Sequence, residues 1–212
     1  MRGRQTLAAV SATFVALLMI LTSGAYAWNK GHFTGISSGS FATLPLDIDD
    51  DSCLFNGSTY TCTDLSTEGS GIGTSTGILK GSGTGQSVVE QVPVVGTGCL
   101  IDPSGIQSCT LGASTDACEY TYVGGSYVNR DNKGDLVFGF INAGGSNCVD
   151  FSSFPPKFSA SSSGTINGGT GKYAGSTGTF TARTTGQILS EDLQGHAFGW
   201  FIQATAGIAT IP

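Results

Sequence analysis

Charge is scarce in this sequence. Only 11% of its 212 residues are Asp, Glu, Lys or Arg, the nine basic residues form no cluster, and the net charge is −6. Such a surface repels phosphate backbones and anionic lipid heads, which argues against a nucleic acid as partner. Histidine is scarcer still: His32 and His196 stand 164 positions apart and the pattern H-E-x-x-H is absent, poor material for a zinc enzyme. Helical periodicity is missing after the first 27 residues, where apolar residues never recur at three, four and seven for two turns and Gly, Ser and Thr interrupt every window. No stretch beyond Leu21 is apolar for long enough to span a bilayer as a helix.

What the N-terminus does contain is a compartment signal. Arg2 and Arg4 precede an apolar run, Leu7 to Leu21, that closes on Ala25-Tyr26-Ala27, a small-x-small cleavage site. The pattern predicts a secretory signal peptide over residues 1–27 and a secreted chain, extracellular or periplasmic. As a helix the run is about 22 Å long, short of the ~30 Å hydrocarbon core. Residues 28–212 number 185 and carry a net charge of −8. They fit a single domain that buries roughly 70% of its unfolded surface.

Six cysteines, Cys53, Cys62, Cys99, Cys109, Cys118 and Cys148, all follow the leader, and an even count in an oxidising compartment reads as disulfides. Asp102-Pro103-Ser104-Gly105 suits a three-residue hairpin loop that sets Cys99 opposite Cys109. A four-residue loop at Asn56-Gly57-Ser58-Thr59 likewise sets Cys53 opposite Cys62. Cys118 and Cys148 are then left for each other. Each short bridge stabilises by about 3 kcal/mol in the chain-entropy model. A structural zinc site is the competing reading, and it lacks any CxxC. Asn56-Gly57-Ser58 is also a glycosylation sequon wherever the host glycosylates.

Period two replaces the missing helix. It is clearest near the C-terminus, where Phe198, Trp200, Ile202, Ala204, Ala206 and Ile208 share one face, while Gly199, Gln203, Thr205 and Gly207 share the other. Phe201 breaks that polar face and is expected to be an isolated exposed aromatic. Further strands are expected over residues 32–44, 54–55, 60–64, 77–86, 87–99, 106–111, 119–128, 135–142, 157–167 and 177–187. Short strands punctuated by Gly and Pro predict an all-β fold, an antiparallel barrel or alternatively a β-sandwich, with stapled loops in its middle. Ser75–Gln86 and Ser176–Gln187 agree at six of twelve positions. A duplication would place both segments on equivalent strands.

Several segments imitate catalytic or binding motifs. "GGTGK", Gly168 to Lys172, looks like the end of a P-loop, yet Ile166 and Tyr173 stand where that loop needs Gly and Ser or Thr. The structural reading is a turn, with Gly168, Gly169 and Gly171 at positive φ and Gly175 and Gly178 allowing a bend. Gly35-Ile36-Ser37-Ser38-Gly39 fits G-x-S-x-G, with Asp192 and His196 in the order of a triad, but no helix is predicted to follow. No catalytic residue is assigned. Asp47, Asp49 and Asp51 could offer oxygens to Ca²⁺, but Ser52 and Ser58 occupy the EF-hand positions of Gly and Glu, so a solvated acidic loop is the preferred reading and no cofactor is expected.

The phrase "GGTGKYAGSTG" resembles the Gly-Gly-Thr-Gly-Lys-aromatic-x-Gly-Ala-x-Gly turn of dirigent proteins, allene oxide cyclases and small secreted bacterial β-proteins. "HAFGWFIQATAGI" is similar to their closing aromatic strand, and "GHFTGISSGSF" to the opening strand of the bacterial group. The resemblance covers residues 158–211 best, and the cysteine-rich middle departs from it. It implies an eight-stranded antiparallel barrel whose apolar interior holds one small ligand. On that reading Tyr173, Phe180, Phe198, Trp200 and Ile202 line the interior. The expected function is to bind or guide a small hydrophobic molecule without catalysis; an extracellular structural or adhesion module and an allene oxide cyclase-like isomerase are the alternatives.

Overall fold

The structure, a computed structural model, describes residues 28–45, 53–55, 59–62, 65–93, 99–101, 107–110, 117–150, 154–191 and 197–212. The leader, Asp47, Asp49, Asp51, the sequon, the loop after Asp102, and Asp192 with His196 lie outside the described residues. Among the described residues thirteen strands follow one another: β1 (Asn29–Pro45), β2 (Cys53–Phe55), β3 (Thr59–Cys62), β4 (Leu65–Gly77), β5 (Gly81–Pro93), β6 (Cys99–Ile101), β7 (Gln107–Thr110), β8 (Ala117–Asp131), β9 (Leu136–Ile141), β10 (Ser146–Asp150), β11 (Lys157–Gly169), β12 (Thr177–Glu191) and β13 (Ala197–Ile211). Helix is confined, among the described residues, to one 3₁₀ turn at Gly171–Tyr173. No helix among them is long and apolar enough to cross a membrane.

Nine of the strands form one antiparallel sheet that closes on itself. Its order is β10, β11, β12, β13, β1, β4, β5, β8 and β9, with β10 also paired to β8 and β11 to β9. Strands β9 and β10 pair successively with the same two neighbours, so together they make one stave of an eight-stranded barrel. Closure satisfies the backbone groups that an open edge would leave unpaired. The two long excursions, between β1 and β4 and between β5 and β8, each contribute a hairpin, and these combine as a second sheet in the order β2, β3, β7, β6.

The hairpin registers are those the turn chemistry predicts: Cys53 stands opposite Cys62 and Cys99 opposite Cys109. Cys118 and Cys148 lie on paired strands but one residue out of step, with Cys118 opposite Val149 and Cys148 opposite Glu119.

Several strands differ from expectation, and β10 lies where none was expected. Leu65–Gly77 is a full stave, and residues 81–93 form one strand across the expected break at Gln86 and Ser87. The two similar segments are not equivalent, since Ser75–Gln86 straddles the β4–β5 turn whereas Ser176–Gln187 enters a single strand. They share a glycine spacing and no common place in the fold.

Candidate functional site

Alternation divides each stave into an inner and an outer face, and the inner face contains a lumen. On β4 and β5 the inward positions are largely glycine: Gly69, Gly71, Gly73, Gly81, Gly83 and Gly85 all border it. With no side chains there, the centre of the barrel stays open. The result is a cavity of about 360 Å³. Eight-stranded barrels are just wide enough to be filled by side chains or to hold one small ligand, and the inward glycines select the second outcome.

Across the lumen the wall is aromatic, and each ring has a defined seat. Phe33 stands directly opposite Gly207, Phe41 opposite Gly199, Phe158 opposite Gly186 and Phe180 opposite Gly164. In every pair the ring lies where a Cβ on the glycine would be. This cross-strand pairing of an aromatic with a bare glycine covers exposed backbone and fixes register. Phe41 and Phe158 meet edge to face at 5.1 Å, as do Tyr127 and Phe180 at 5.2 Å. Both arrangements are favourable for ring quadrupoles.

Polar groups occupy one part of the wall. Asn147 Nδ2 donates to Gln91 Oε1 at 2.9 Å, and Gln91 Nε2 donates to Thr67 Oγ1 at 2.6 Å. Thr67 and Thr43 hydroxyls then meet at 3.4 Å, so one chain of side chains crosses β10, β5, β4 and β1. Gln91 is only 3% exposed, and buried Asn147 Oδ1 has no hydrogen-bond partner among the described residues. Tyr127 donates from its hydroxyl to the Thr165 carbonyl at 3.1 Å. Burial pushes the Tyr122 phenol up to about 12 and raises that of Tyr127 further, because a phenolate would lose its hydration there.

The GGTGK segment closes one end of the barrel as architecture. Gly171 and Gly175 adopt positive φ, +53° and +79°, while Gly168 and Gly169 do not. The Leu136 N–H donates to Thr170 Oγ1 at 2.9 Å, and the Thr170 N–H to the Leu136 carbonyl at 2.9 Å. Lys172 Nζ pairs with Asp131 Oδ2 at 2.7 Å and lies 4.6 Å from the centre of the Tyr173 ring. The Lys172 ammonium, helped by the N–H groups of Lys133 and Asp135, holds the Asp131 carboxyl below its ordinary range. A three-residue 3₁₀ turn offers no helix N-terminus to a phosphate.

Of the residues expected inside, Tyr173 and Phe180 do border the lumen. Phe198, Trp200 and Ile202 do not: they point outward and are 48%, 37% and 48% exposed. Phe201, expected outside, faces the lumen instead. The cause is steric. The inner face of β13 must keep Gly199 and Gly207 beneath the rings of Phe41 and Phe33, so the strand's apolar alternation is turned to the exterior. Missed in the sequence were Phe33, Phe41, Tyr122, Tyr127, Phe158 and Gln91; aromatics whose cross-strand partners are glycines were the available signal.

Ser37 of the G-x-S-x-G match faces inward and donates to Gln203 Oε1 at 3.4 Å, in mid-strand and without a strand-to-helix elbow. Among the described residues no group of three His, Cys, Asp or Glu side chains could hold a metal ion. No protein-family model matches the chain, and no curated protein matches it significantly.

Proposed function

We propose that the chain is a secreted barrel that binds a small, largely apolar molecule in its lumen and does not transform it, in the manner implied by its resemblance to dirigent-like and allene oxide cyclase-like proteins. The observation that carries this reading is the 360 Å³ cavity bounded by inward glycines on one side and seated aromatic rings on the other. It falls in the size range of small-molecule sites, about 300–1,000 Å³. Phe41, Phe158, Tyr127 and Phe180 offer ring faces and edges to a flat or cyclic ligand. The unpaired Asn147 Oδ1 favours a ligand carrying one hydroxyl or N–H donor, since a buried acceptor left alone costs about 1–3 kcal/mol.

Binding without turnover is favoured by the lumen's ionisable groups. Among the described lining residues Asp131 is the one carboxylate and is committed to Lys172, while Tyr122 and Tyr127 stay neutral far above neutral pH. General acid–base catalysis works best with a group poised near the operating pH. Native mass spectrometry of the purified chain with a library of cyclic and aliphatic apolar compounds tests the reading. One-to-one adducts are expected, and Ser87→Trp or Thr184→Phe, which fill the lumen from the inner face, should abolish them while the far-ultraviolet spectrum is unchanged. Absence of any adduct with the unsubstituted chain would overturn it, and conversion of a bound compound would move the assignment to an isomerase.

A further inference from the structure

The net charge of the chain conceals a polarity that the fold makes visible. Basic residues are scattered in the sequence, yet five of the seven that follow the leader, Lys30, Lys80, Arg130, Lys133 and Lys172, stand at one end of the barrel, and all five are exposed. Strand β1 begins there, the β4–β5 and β8–β9 turns border it, and the Gly171–Tyr173 turn closes it over Phe33, Val137 and Ile166. Lys30 precedes Gly31, where a Cβ would lie 3.3 Å from Ile78 of the turn that carries Lys80. The Arg130 guanidinium lies against the β8–β9 turn, 3.4 Å from where a Cβ on Gly134 would be. The two side-chain carboxylates of this end are turned into the fold instead. Asp131, its side chain 8% exposed, accepts from the N–H groups of Lys133 and Asp135 and pairs with Lys172, while Asp135 accepts from the Lys172 N–H. Glu68, Glu90 and Asp150 stand toward the opposite end.

We infer that this closed, basic end docks on an anionic bilayer surface without crossing it. Charge complementarity is one reason: cations face outward in a ring and the acids of the same end are spent on the turn, so a negative surface meets positive charge although the chain as a whole is acidic. The acidic remainder lies toward the far end, and the field of the molecule orients the basic end first. Trp28 is the other reason. Its side chain is 56% exposed at this same end, with the ring beside Gly175 of the closing turn. An exposed indole among cations suits the headgroup layer, where tryptophan is enriched. A soluble polyanion would engage the cations and leave Trp28 in water. The expected leader, residues 1–27, also joins the fold here through Trp28, so the bilayer that an export signal engages is the anionic surface nearest this end. The inference is independent of what the lumen binds.

Co-sedimentation of the exported chain with lipid vesicles tests it. Binding is expected to mixed phosphatidylcholine and phosphatidylglycerol vesicles and not to phosphatidylcholine alone, and it should vanish at about 1 M salt, where the Debye length is ~3 Å. Lys30→Gln, Lys80→Gln and Lys133→Gln, at exposed side chains outside the Asp131–Lys172 pair, should each weaken binding about five-fold. Arg183→Gln on the β12 wall and Lys157→Gln at the opposite end remove the same charge and should leave it unchanged. In Trp200→Phe, which leaves Trp28 as the one tryptophan, emission should move to shorter wavelength on anionic vesicles. No binding, equal binding to both kinds of vesicle, or equal weakening by Lys157→Gln would each overturn the proposal. So would Trp28 emission that does not move on the vesicles while dextran sulfate binds as tightly, a result that assigns the end to a soluble polyanion.

Discussion

The seating of rings on glycines can be tested by three alanine substitutions that differ only in what the new methyl group meets. At Gly199 a Cβ would lie 2.5 Å from Phe41 Cε1 and overlap the Gln187 carbonyl. That carbonyl belongs to the β12–β13 ladder and cannot withdraw without breaking it. At Gly168 the near atoms are only ring carbons of Phe138, at 2.8 and 2.9 Å, on a side chain that is partly exposed and can swing away. At Gly81 nothing lies within 4 Å and φ is not positive. Overpacking against immobile neighbours costs ~1–3 kcal/mol, and Gly199→Ala belongs at the upper end. For a domain of this size about 3 kcal/mol lowers Tm by roughly 6–12 °C. Gly168→Ala should lose under ~1 kcal/mol, and Gly81→Ala should gain ~0.4–1 kcal/mol by restricting the unfolded chain. Scanning calorimetry reads all three. If Gly199→Ala melts with Gly81→Ala, the rings are not seated on their partners and the account of the lumen wall fails.

Three further outcomes are expected. Gln91→Leu removes the link between Asn147 and Thr67 and leaves both without it, so urea denaturation should show a loss of about 1–3 kcal/mol. Because Lys172 lowers the Asp131 carboxyl in the fold, the pair stabilises above the ordinary aspartate range and its contribution disappears as pH falls through the lowered value; Asp131→Asn should flatten the acid limb of stability against pH, and an unchanged limb would count against the pair. The raised phenols act in the opposite sense. Their contribution is complete below the ordinary tyrosine value of 10.0 and is lost as pH climbs through the folded one, so phenolate absorbance should show Tyr122 ionising near 12 and Tyr122→Phe should soften the alkaline limb.

The architecture was readable because antiparallel strands write an alternation, and turn residues such as Asn132-Lys133-Gly134 mark their ends. Alternation has two faces, however, and it does not say which is inside. On β13 the usual inference, that the apolar face is buried, inverted the strand: an inner face of Gly199, Phe201, Gln203, Thr205 and Gly207 looks polar only until its glycines are recognised as seats for rings on β1. Strand β4 escaped notice for a related reason. LSTEGSGIGTSTG has the composition of a linker, and its glycines are the side of a stave that borders open space. The P-loop likeness of GGTGK failed on local grounds visible in Ile166 and Tyr173. Its anchoring by Asp131 and Asp135, more than thirty positions earlier, required the fold.

Barrel closure depends on β1 meeting β13, through partners from Thr43 with Ala197 to Asn29 with Ile211, 154 to 182 positions apart. A chain emerging N-terminus first therefore carries its opening strand as an unsatisfied edge until almost the whole sequence has been delivered. Such long-range pairing is slow to form and vulnerable to aggregation meanwhile. The serine- and threonine-rich outer edge of β1, with Thr34, Ser38 and Ser40 interleaved around a single isoleucine, is the kind of strand that can wait in water for its last neighbour.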